Sequence, residues 1–552
     1  MKRRQQQLAA LHESTVDVLV VGAGFNGTVA ASALAGTGRS VALIDRGDFA
    51  SFTSQQSSNL AWGGFKYLEN YEIPLVMKLC RSRNRLMREY PSAISEVRFW
   101  ATLDTTAPFP PWLAALGSAA YWALGRFATK APRFHRPQAL KRHEPVIRID
   151  TAKAAVEYSD AYFKDNDARF AWNFVRQALH QHANHTTAVN YVELVGAEYH
   201  DNQWQVELHD RAPGPQDHVS HTDSRLPQDP IRLRCKAIVN AAGPFADDLN
   251  QLLKAETEHR IVYSKGIHLV VPRITDHERV LAFFDDSRRL FFVIPMAHRS
   301  VIGTTDTRTD NPYEPITDED RHFVLDQVNA RLDLATPLTL GDVISERSGV
   351  RPLVVRDDGV DYDSIDWTSL SRKHAIEVDE DRKVVSIMGG KLTDCINVGE
   401  EVIEAIKSRR WFTTPERHDA SCEGGGHWYG EGSAEERQQF LHAAKAVGLD
   451  RKPSVEREPS MAAVLWRRHG SLAYEVVDAL ASDPRQGEEV LADSDILRGE
   501  LPLYAEYEMV VTLEDFLRRR TKLAMIHRAT DLANDPGLAE VCDHLGVATP
   551  HS

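Results

Sequence analysis

Cysteine is scarce in this chain: five residues (Cys80, Cys235, Cys395, Cys422, Cys542) in 552, with no CxxC pair. That sparseness excludes a disulfide framework and a thiolate metal site, and it reads as reduced intracellular thiols. Positive charge is also short. Sixty-five Lys and Arg stand against 79 Asp and Glu, a net −14, which argues against general nucleic-acid binding and leaves room for a local basic pocket around a small anion. No uncharged apolar run is long enough to span a bilayer. The N-terminus "MKRRQQQLAALHEST" starts basic, but no apolar core follows, so no secretory signal is expected. The nearest approach to a membrane segment is "FPPWLAALGSAAYWALGRF" (Phe109–Phe127), read as a buried or amphipathic helix pair, the alternative being a segment lying in a membrane interface. No metal site is expected: the histidines of "HQHANH" (His180, His182, His185) do not share a helix face and read as solvated.

At this length two or three domains are expected. The first regular unit is a complete βαβ: "DVLVV" as a buried parallel strand, "NGTVAASALAG" as a helix of small residues, "SVALID" as the next strand. Between strand and helix sits Gly22-x-Gly24-x-x-Gly27. The first glycine makes the tight turn, the second lets a pyrophosphate reach the backbone, and the third permits close helix–strand packing at the anion-attracting helix start. Asp45 ends the second strand 23 residues after Gly22, the distance at which a carboxylate meets a ribose hydroxyl. It would repel the extra phosphate of NADP, yet it does not separate NAD from FAD.

Further along, "DARFAWNFVRQALHQHANH" is an amphipathic helix, and "TTAVNYVELVGAEYHDNQWQVELHD" alternates like a hairpin turning at Asp201-Asn202. A polar, proline-containing excursion, "RAPGPQDHVSHTDSRLPQDP", precedes the buried strand "KAIVN". "EGGGHWYGEGS" (Glu423–Ser433) is a glycine-rich linker rather than a phosphate loop. Beyond it the composition shifts to helix formers, with "LPLYAEYEMVVTLEDFLRRRTKLAM" the most regular segment of a separate helical domain.

Two glycine pairs stand out. Gly389-Gly390 lies between a buried strand and a helix, where a second turn could bring backbone N–H groups to the far end of a long cofactor. Gly63-Gly64 lies between Trp62 and Lys66 in "SSNLAWGGFKYLEN" and suggests a close approach to bare backbone.

Taken together, these pieces resemble the FAD-dependent glycerol-3-phosphate dehydrogenases of the D-amino-acid-oxidase-type superfamily. The resemblance runs over nearly the whole chain, through the N-terminal fingerprint, "FTSQQSSNL" with its GG-x-[RK]-Y-L element, "EYSDAYFKDNDAR", "NAAGP", "KGIHLVVPR", "VIPMAHRSVIGTTD", "SGVRPL", "GGKLT" and "LEDFLRRRTKLA". It implies an α/β fold with a Rossmann-like FAD-binding domain (1–75, 150–255 and 335–415) and an inserted α+β substrate domain (76–149 and 256–334). A Gly-rich linker (416–433) and an all-α C-terminal domain (434–552) follow. It implies FAD contacts from Gly22, Gly24, Phe25, Asn26, Gly27, Asp45, Arg46, Ser54, Ser57, Ser58, Gly63, Gly64, Val192, Ala242, Gly243, Gly389, Gly390, Lys391, Leu392 and Thr393. Gly63 and Gly64 would lie against the flavin ring.

On the substrate side the resemblance implies Trp62, Lys66, Tyr67, Thr305, Arg351 and Lys391, with Lys66, Arg351 and Lys391 surrounding an anion. His268 is the candidate to take the hydroxyl proton. Arg351 and Lys391 stand with it as catalytic candidates, and Thr305 and Asp306 shape the pocket floor. The family has His where Trp62 stands and Arg where Lys66 stands, and Lys replaces a planar fork with a point charge.

The expected reaction is oxidation of sn-glycerol 3-phosphate to dihydroxyacetone phosphate, with electrons leaving to a quinone or another acceptor. The expected setting is cytoplasmic, peripheral on the cytoplasmic face of the membrane, with a homodimer left open. Three other readings stay open: the same fold acting on a different small anionic hydroxy or amino compound, a non-catalytic flavoprotein, and an NAD enzyme using only the first fingerprint.

Overall fold

The strand Ser14–Val21 ends in an uninterrupted apolar run, Val18–Val21, which suits a sheet covered on both sides. In the computed structural model, which describes residues 2–69, 71–150, 152–213, 230–285, 289–357, 373–412 and 428–550, it lies at the heart of an eight-stranded sheet. It pairs in parallel with Val41–Ile44 on one side and Ile231–Asn240 on the other. Thr186–Val189 extends the first side and Val384–Met388 the second, both in parallel. The chain therefore leaves Ser14–Val21 in one direction and later returns to its opposite edge. A reversal of this kind opens a crevice beyond the carboxyl ends of the strands, the usual ligand position in such sheets.

The helix Phe25–Ala35 is buried at every position but Asn26, because Gly, Ala, Ser and Thr let neighbours approach from all sides. The amphipathic helix Asp167–Gln181 and the helix Cys395–Ser408 pack against it. The expected hairpin is present as Val192–His200 and Gln203–Asp210, with Asp201 and Asn202 at positive φ in the turn. The excursion that follows falls largely at 214–229, outside the described residues.

A second, ten-stranded sheet is built around the long strand His259–Pro272, which pairs with Arg299–Gly303, Thr307–Thr309 and Ser345–Arg356. It continues through Ile94–Leu103 to Ala154–Phe163 and the short strand Leu60–Ala61. Three of its strands fall within the ranges expected for the cofactor domain. The two sheets thus exchange chain near residues 60, 154–163 and 345–356, and the boundaries at 150 and 335 do not separate them.

Other expectations are corrected by packing. Phe109–Phe127 holds one helix, Pro111–Leu124, and not a pair. Its inner face is Ala114, Ser118 and Tyr121, while Trp112 (66%), Leu116 (60%) and nearby Phe127 (61%) are exposed. His182 is buried beside His185, with ring centroids 5.5 Å apart, and is not solvated. The linker expectation for 416–427 lies outside the described residues. Residues 428–433 are packed: Trp428 sits against Gly36 and Gly399, and Glu431 accepts from the backbone N–H of Ser92 at 3.0 Å.

The C-terminal part is helical among its described residues. Its expected long segment is instead broken into a helix Leu501–Tyr507, a π-helical turn Asp515–Arg520 and a short helix Leu523–Ile526. Nor is it separate. Asp165 pairs with Arg467 at 2.8 Å, Arg169 with Glu508, and Asn166 donates to the Thr521 carbonyl at 2.6 Å. No helix among the described residues is long and apolar enough to cross a membrane.

Candidate functional site

The crevice at the strand reversal is a cavity of about 1460 Å³, larger than the usual small-ligand range. Each central strand delivers a residue to it at its carboxyl end: Val21 and Gly22, Asp45, Ala241 and Ala242, and Gly389. The start of helix Phe25–Ala35 opens into it through Gly24, Phe25 and Asn26. A Cβ at Gly24 would meet Ser54 Oγ at 2.9 Å, and Ser54 Oγ also accepts from the Phe25 N–H at 3.0 Å. Gly27 lies against the Gly22 carbonyl and outside the cavity, as a helix–strand packing glycine should.

The Asp45 carboxylate accepts from Ala23 N at 2.6 Å and Gly47 N at 2.8 Å. Burial raises its pKa to about 6, against those two backbone bonds and the Arg46 charge. Arg46 stacks on the Phe245 ring at 4.0 Å and donates to the Tyr313 hydroxyl at 2.7 Å. Ser57, Ser58, Val192, Gly243, Gly390, Leu392 and Thr393 complete the expected cofactor residues on the lining. The two distant glycine turns are tied together: Asn26 Nδ2 donates to the Gly389 carbonyl at 2.8 Å across 363 residues.

At the second-sheet end the cavity meets Trp62, Tyr67, His268, Phe292, Thr304, Arg351 and Lys391. His268 is buried, and among the described residues neither ring nitrogen has a hydrogen-bond partner. Burial first, then the Arg347 and Arg351 charges, hold its pKa well below the ordinary imidazole value. Arg351 donates to Thr304 Oγ1 at 3.0 Å and pairs with Asp306 at 3.3 Å. Lys391 Nζ donates to the Tyr67 hydroxyl at 2.6 Å, and Tyr67 packs against Trp62 with ring centroids 5.9 Å apart.

Besides Gly27, five expected residues lie off the lining, Asp306 among them as the ion-pair partner of Arg351. Gly63 and Gly64 do not line the cavity. A side chain on Gly63 would strike Tyr121 and Cys80, and one on Gly64, at φ 83°, would strike Tyr67 and Leu79. The bare backbone makes room for the protein's own rings, which in turn set Tyr67 beside Lys391. Lys66 is half-buried off the lining, where its charge acts on Glu69. Thr305 is buried and accepts from Ile267 N at 3.1 Å, and the cavity is lined instead by Thr304. The cationic end therefore has two of the three expected charges, Arg351 and Lys391.

Several lining residues had been given no role in the site. Tyr313 and Phe245 form an aromatic cluster with Phe52, and Thr512 and Glu514 reach the cavity from the C-terminal part. Among the described residues no group of three or more His, Cys, Asp or Glu side chains could hold a metal ion.

Comparison with known proteins adds independent findings. The family described as FAD dependent oxidoreductase matches residues 17–371, and the C-terminal domain of alpha-glycerophosphate oxidase matches 420–546. Glycerol-3-phosphate dehydrogenase 2 of Mycobacterium bovis is 30% identical over 537 residues, covering 95% of this chain and 84% of the relative. The mitochondrial glycerol-3-phosphate dehydrogenase of Bos taurus is 26% identical over 546 residues, covering 95% and 70%. The fold is similar to that of a glycerol-3-phosphate dehydrogenase from Bacillus halodurans crystallised with FAD (TM-score 0.71, 22% identity, 99% of this chain and 94% of that one).

Proposed function

Since this chain belongs to the family of FAD-dependent glycerol-3-phosphate dehydrogenases, we propose that it oxidises sn-glycerol 3-phosphate to dihydroxyacetone phosphate at the cationic end of the cavity. The residues present fit FAD. The cavity is large, a helix start and a serine-bearing loop meet at the fingerprint, a carboxylate ends the second strand, and a second glycine turn is bonded to Asn26 beside it. Gly22, Gly24, Phe25, Asn26, Ser54, Ser57 and Ser58 would hold the diphosphate region, Asp45 the ribose, and Gly389–Thr393 the flavin end. When bound, FAD supplies a ring that accepts hydride from the carbinol carbon.

The remaining work falls to side chains. Arg351 and Lys391 bind and orient the phosphate, one as a planar fork and the other as a point charge. His268 takes the hydroxyl proton on a ring nitrogen. The observation that carries this assignment is its buried imidazole, with neither nitrogen hydrogen-bonded among the described residues, beside the cation that would hold the substrate. Anaerobic titration of the purified protein tests the reading. Glycerol 3-phosphate should bleach the flavin band near about 450 nm, whereas glycerol should not. A colourless protein, or a flavin untouched by glycerol 3-phosphate, would refute it.

The electron acceptor we infer to be a quinone, reached at a lipid surface. Trp112, Leu113, Leu116, Ala119 and Ala120 form an exposed apolar face on helix Pro111–Leu124. Between Asp104 and Glu144 there is no acidic residue. All six basic ones in that interval (Arg126, Lys130, Arg133, Arg136, Lys141, Arg142) are exposed, in a chain of net charge −14. Apolar area beside clustered positive charge suits the interface of a membrane with anionic headgroups.

A further inference from the structure

The loop Gly47–Asn59 faces the cavity with Ser54, Gln56, Ser57 and Ser58, and its other face rests on three consecutive arginines from the C-terminal part. Two of these are matched by acids. Arg519 bonds Asp48 at 2.7 Å and Asp515 at 2.5 Å, and Arg520 bonds Asp48 at 2.7 Å. Arg518 is different. It donates to the Gln55 carbonyl at 3.2 Å and to Gln56 Oε1 at 2.9 Å, and among the described residues it forms no ion pair.

The Gln55 carbonyl also accepts from Arg347, at 3.1 Å. Two buried guanidinium groups therefore converge on one oxygen. The carboxylate at hand is Asp167, which Arg347 holds at 2.7 Å and which also accepts from the Ser57 N–H at 2.7 Å. The exposed Glu514 acts on Arg518 from further off and is itself paired with Arg519. Burial and the Arg347 charge pull the Arg518 pKa down to about 9, as expected of a cation short of a partner.

An unmatched buried charge is costly unless something answers it. On the cavity side of this thin loop are Ser57, Ser58, Gly24 and the start of helix Phe25–Ala35, an anion-attracting end. We propose that Arg347 and Arg518 hold an excess positive charge beneath Gln55–Ser58 that is answered by the diphosphate of the bound dinucleotide, making Arg518 a positioning residue for FAD. The inference rests on the FAD reading above and assigns the C-terminal part a place in the cofactor site.

The test uses full-length holoenzyme and its R518Q and R518K variants. FAD release on dilution is followed by flavin fluorescence, and the melting shift on adding ADP, which carries the diphosphate without the flavin, is measured alongside. R518Q should weaken FAD by at least about thirtyfold, the loss typical of removing one member of a buried charge pair, and abolish the ADP shift. R518K, retaining the charge, should stay within about threefold of wild type. R518Q with wild-type FAD affinity, or R518K as weak as R518Q, overturns the proposal. Should R518Q fail to fold, D167N decides. Removing the shared negative charge should tighten FAD binding, and weakening it overturns the proposal. A wild type that carries FAD and is reduced by glycerol 3-phosphate, beside an R518Q that binds FAD equally well, would sink this inference and leave the proposed function standing.

Discussion

The Lys391 ammonium lies 2.6 Å from the Tyr67 hydroxyl and 3.8 Å from the centre of the same ring, so one tyrosine both accepts its proton and shields its charge. Tyr67 thereby fixes where a substrate phosphate finds its cation. Tyr67→Phe keeps the ring and deletes the acceptor. A hydrogen bond to a charged group contributes about 1.5–3 kcal/mol, so KM for glycerol 3-phosphate should rise about tenfold or more, with FAD content unchanged. Steady-state kinetics check this; an unaltered KM would remove Tyr67 from the site.

Replacing His268 should separate binding from chemistry. His268→Asn removes the proposed base, and kcat should fall by about 10²–10⁴-fold while flavin absorbance is retained. Because its pKa lies well below the ordinary value, the folded imidazole stays neutral where an unfolded one takes a proton. The unfolded state thus binds more protons below about pH 6.5, and stability falls as pH drops through that value. His268→Asn should flatten part of that loss in urea titrations at pH 5.5 and 7.5.

Asp45 gives a pH dependence of the opposite sign. Its folded pKa of about 6 lies above the usual aspartate value, so the ligand-free fold binds more protons than the unfolded chain, and this contribution is lost as pH rises through 6. A ribose hydroxyl donates to the ionised carboxylate, so FAD affinity should strengthen as pH rises through about 6 and level off above it. Asp45→Asn should abolish this dependence in fluorescence titrations.

The βαβ unit, its fingerprint and Asp45 were legible because a parallel strand, a tight turn and a buried helix leave local marks in composition and spacing. His268, Arg351 and Lys391 were legible only through their motifs, and all three line the cavity. Gly63 and Gly64 misled because a glycine records that something comes close without recording what. Here it is Tyr121 and Tyr67, the first of them 58 residues beyond Gly63. The arginines at 518–520 were expected only to lie in a helical segment. Their burial depends on Asp48 and Gln55, more than 460 residues away, which no local pattern encodes.

The exposed face of helix Pro111–Leu124 can be tested without disturbing the cavity. The double change Trp112→Glu and Leu116→Glu adds two charges to residues that are 66% and 60% exposed, so folding should be little affected. Sedimentation with vesicles containing anionic lipid should lose the variant, while reduction of a water-soluble dye by glycerol 3-phosphate should continue at the wild-type rate. Equal vesicle binding by both proteins would assign that face another purpose.

The bond from Asn26 to the Gly389 carbonyl has a consequence for biosynthesis. A ribosome moving at about 5–20 residues per second needs roughly 20–70 s to travel between those positions. Throughout that interval the nascent N-terminal half waits with its dinucleotide crevice unclosed, and the arginines that brace the serine loop emerge later still. The crevice is therefore complete only once the chain has been made past Gly389 and the arginines at 518–520.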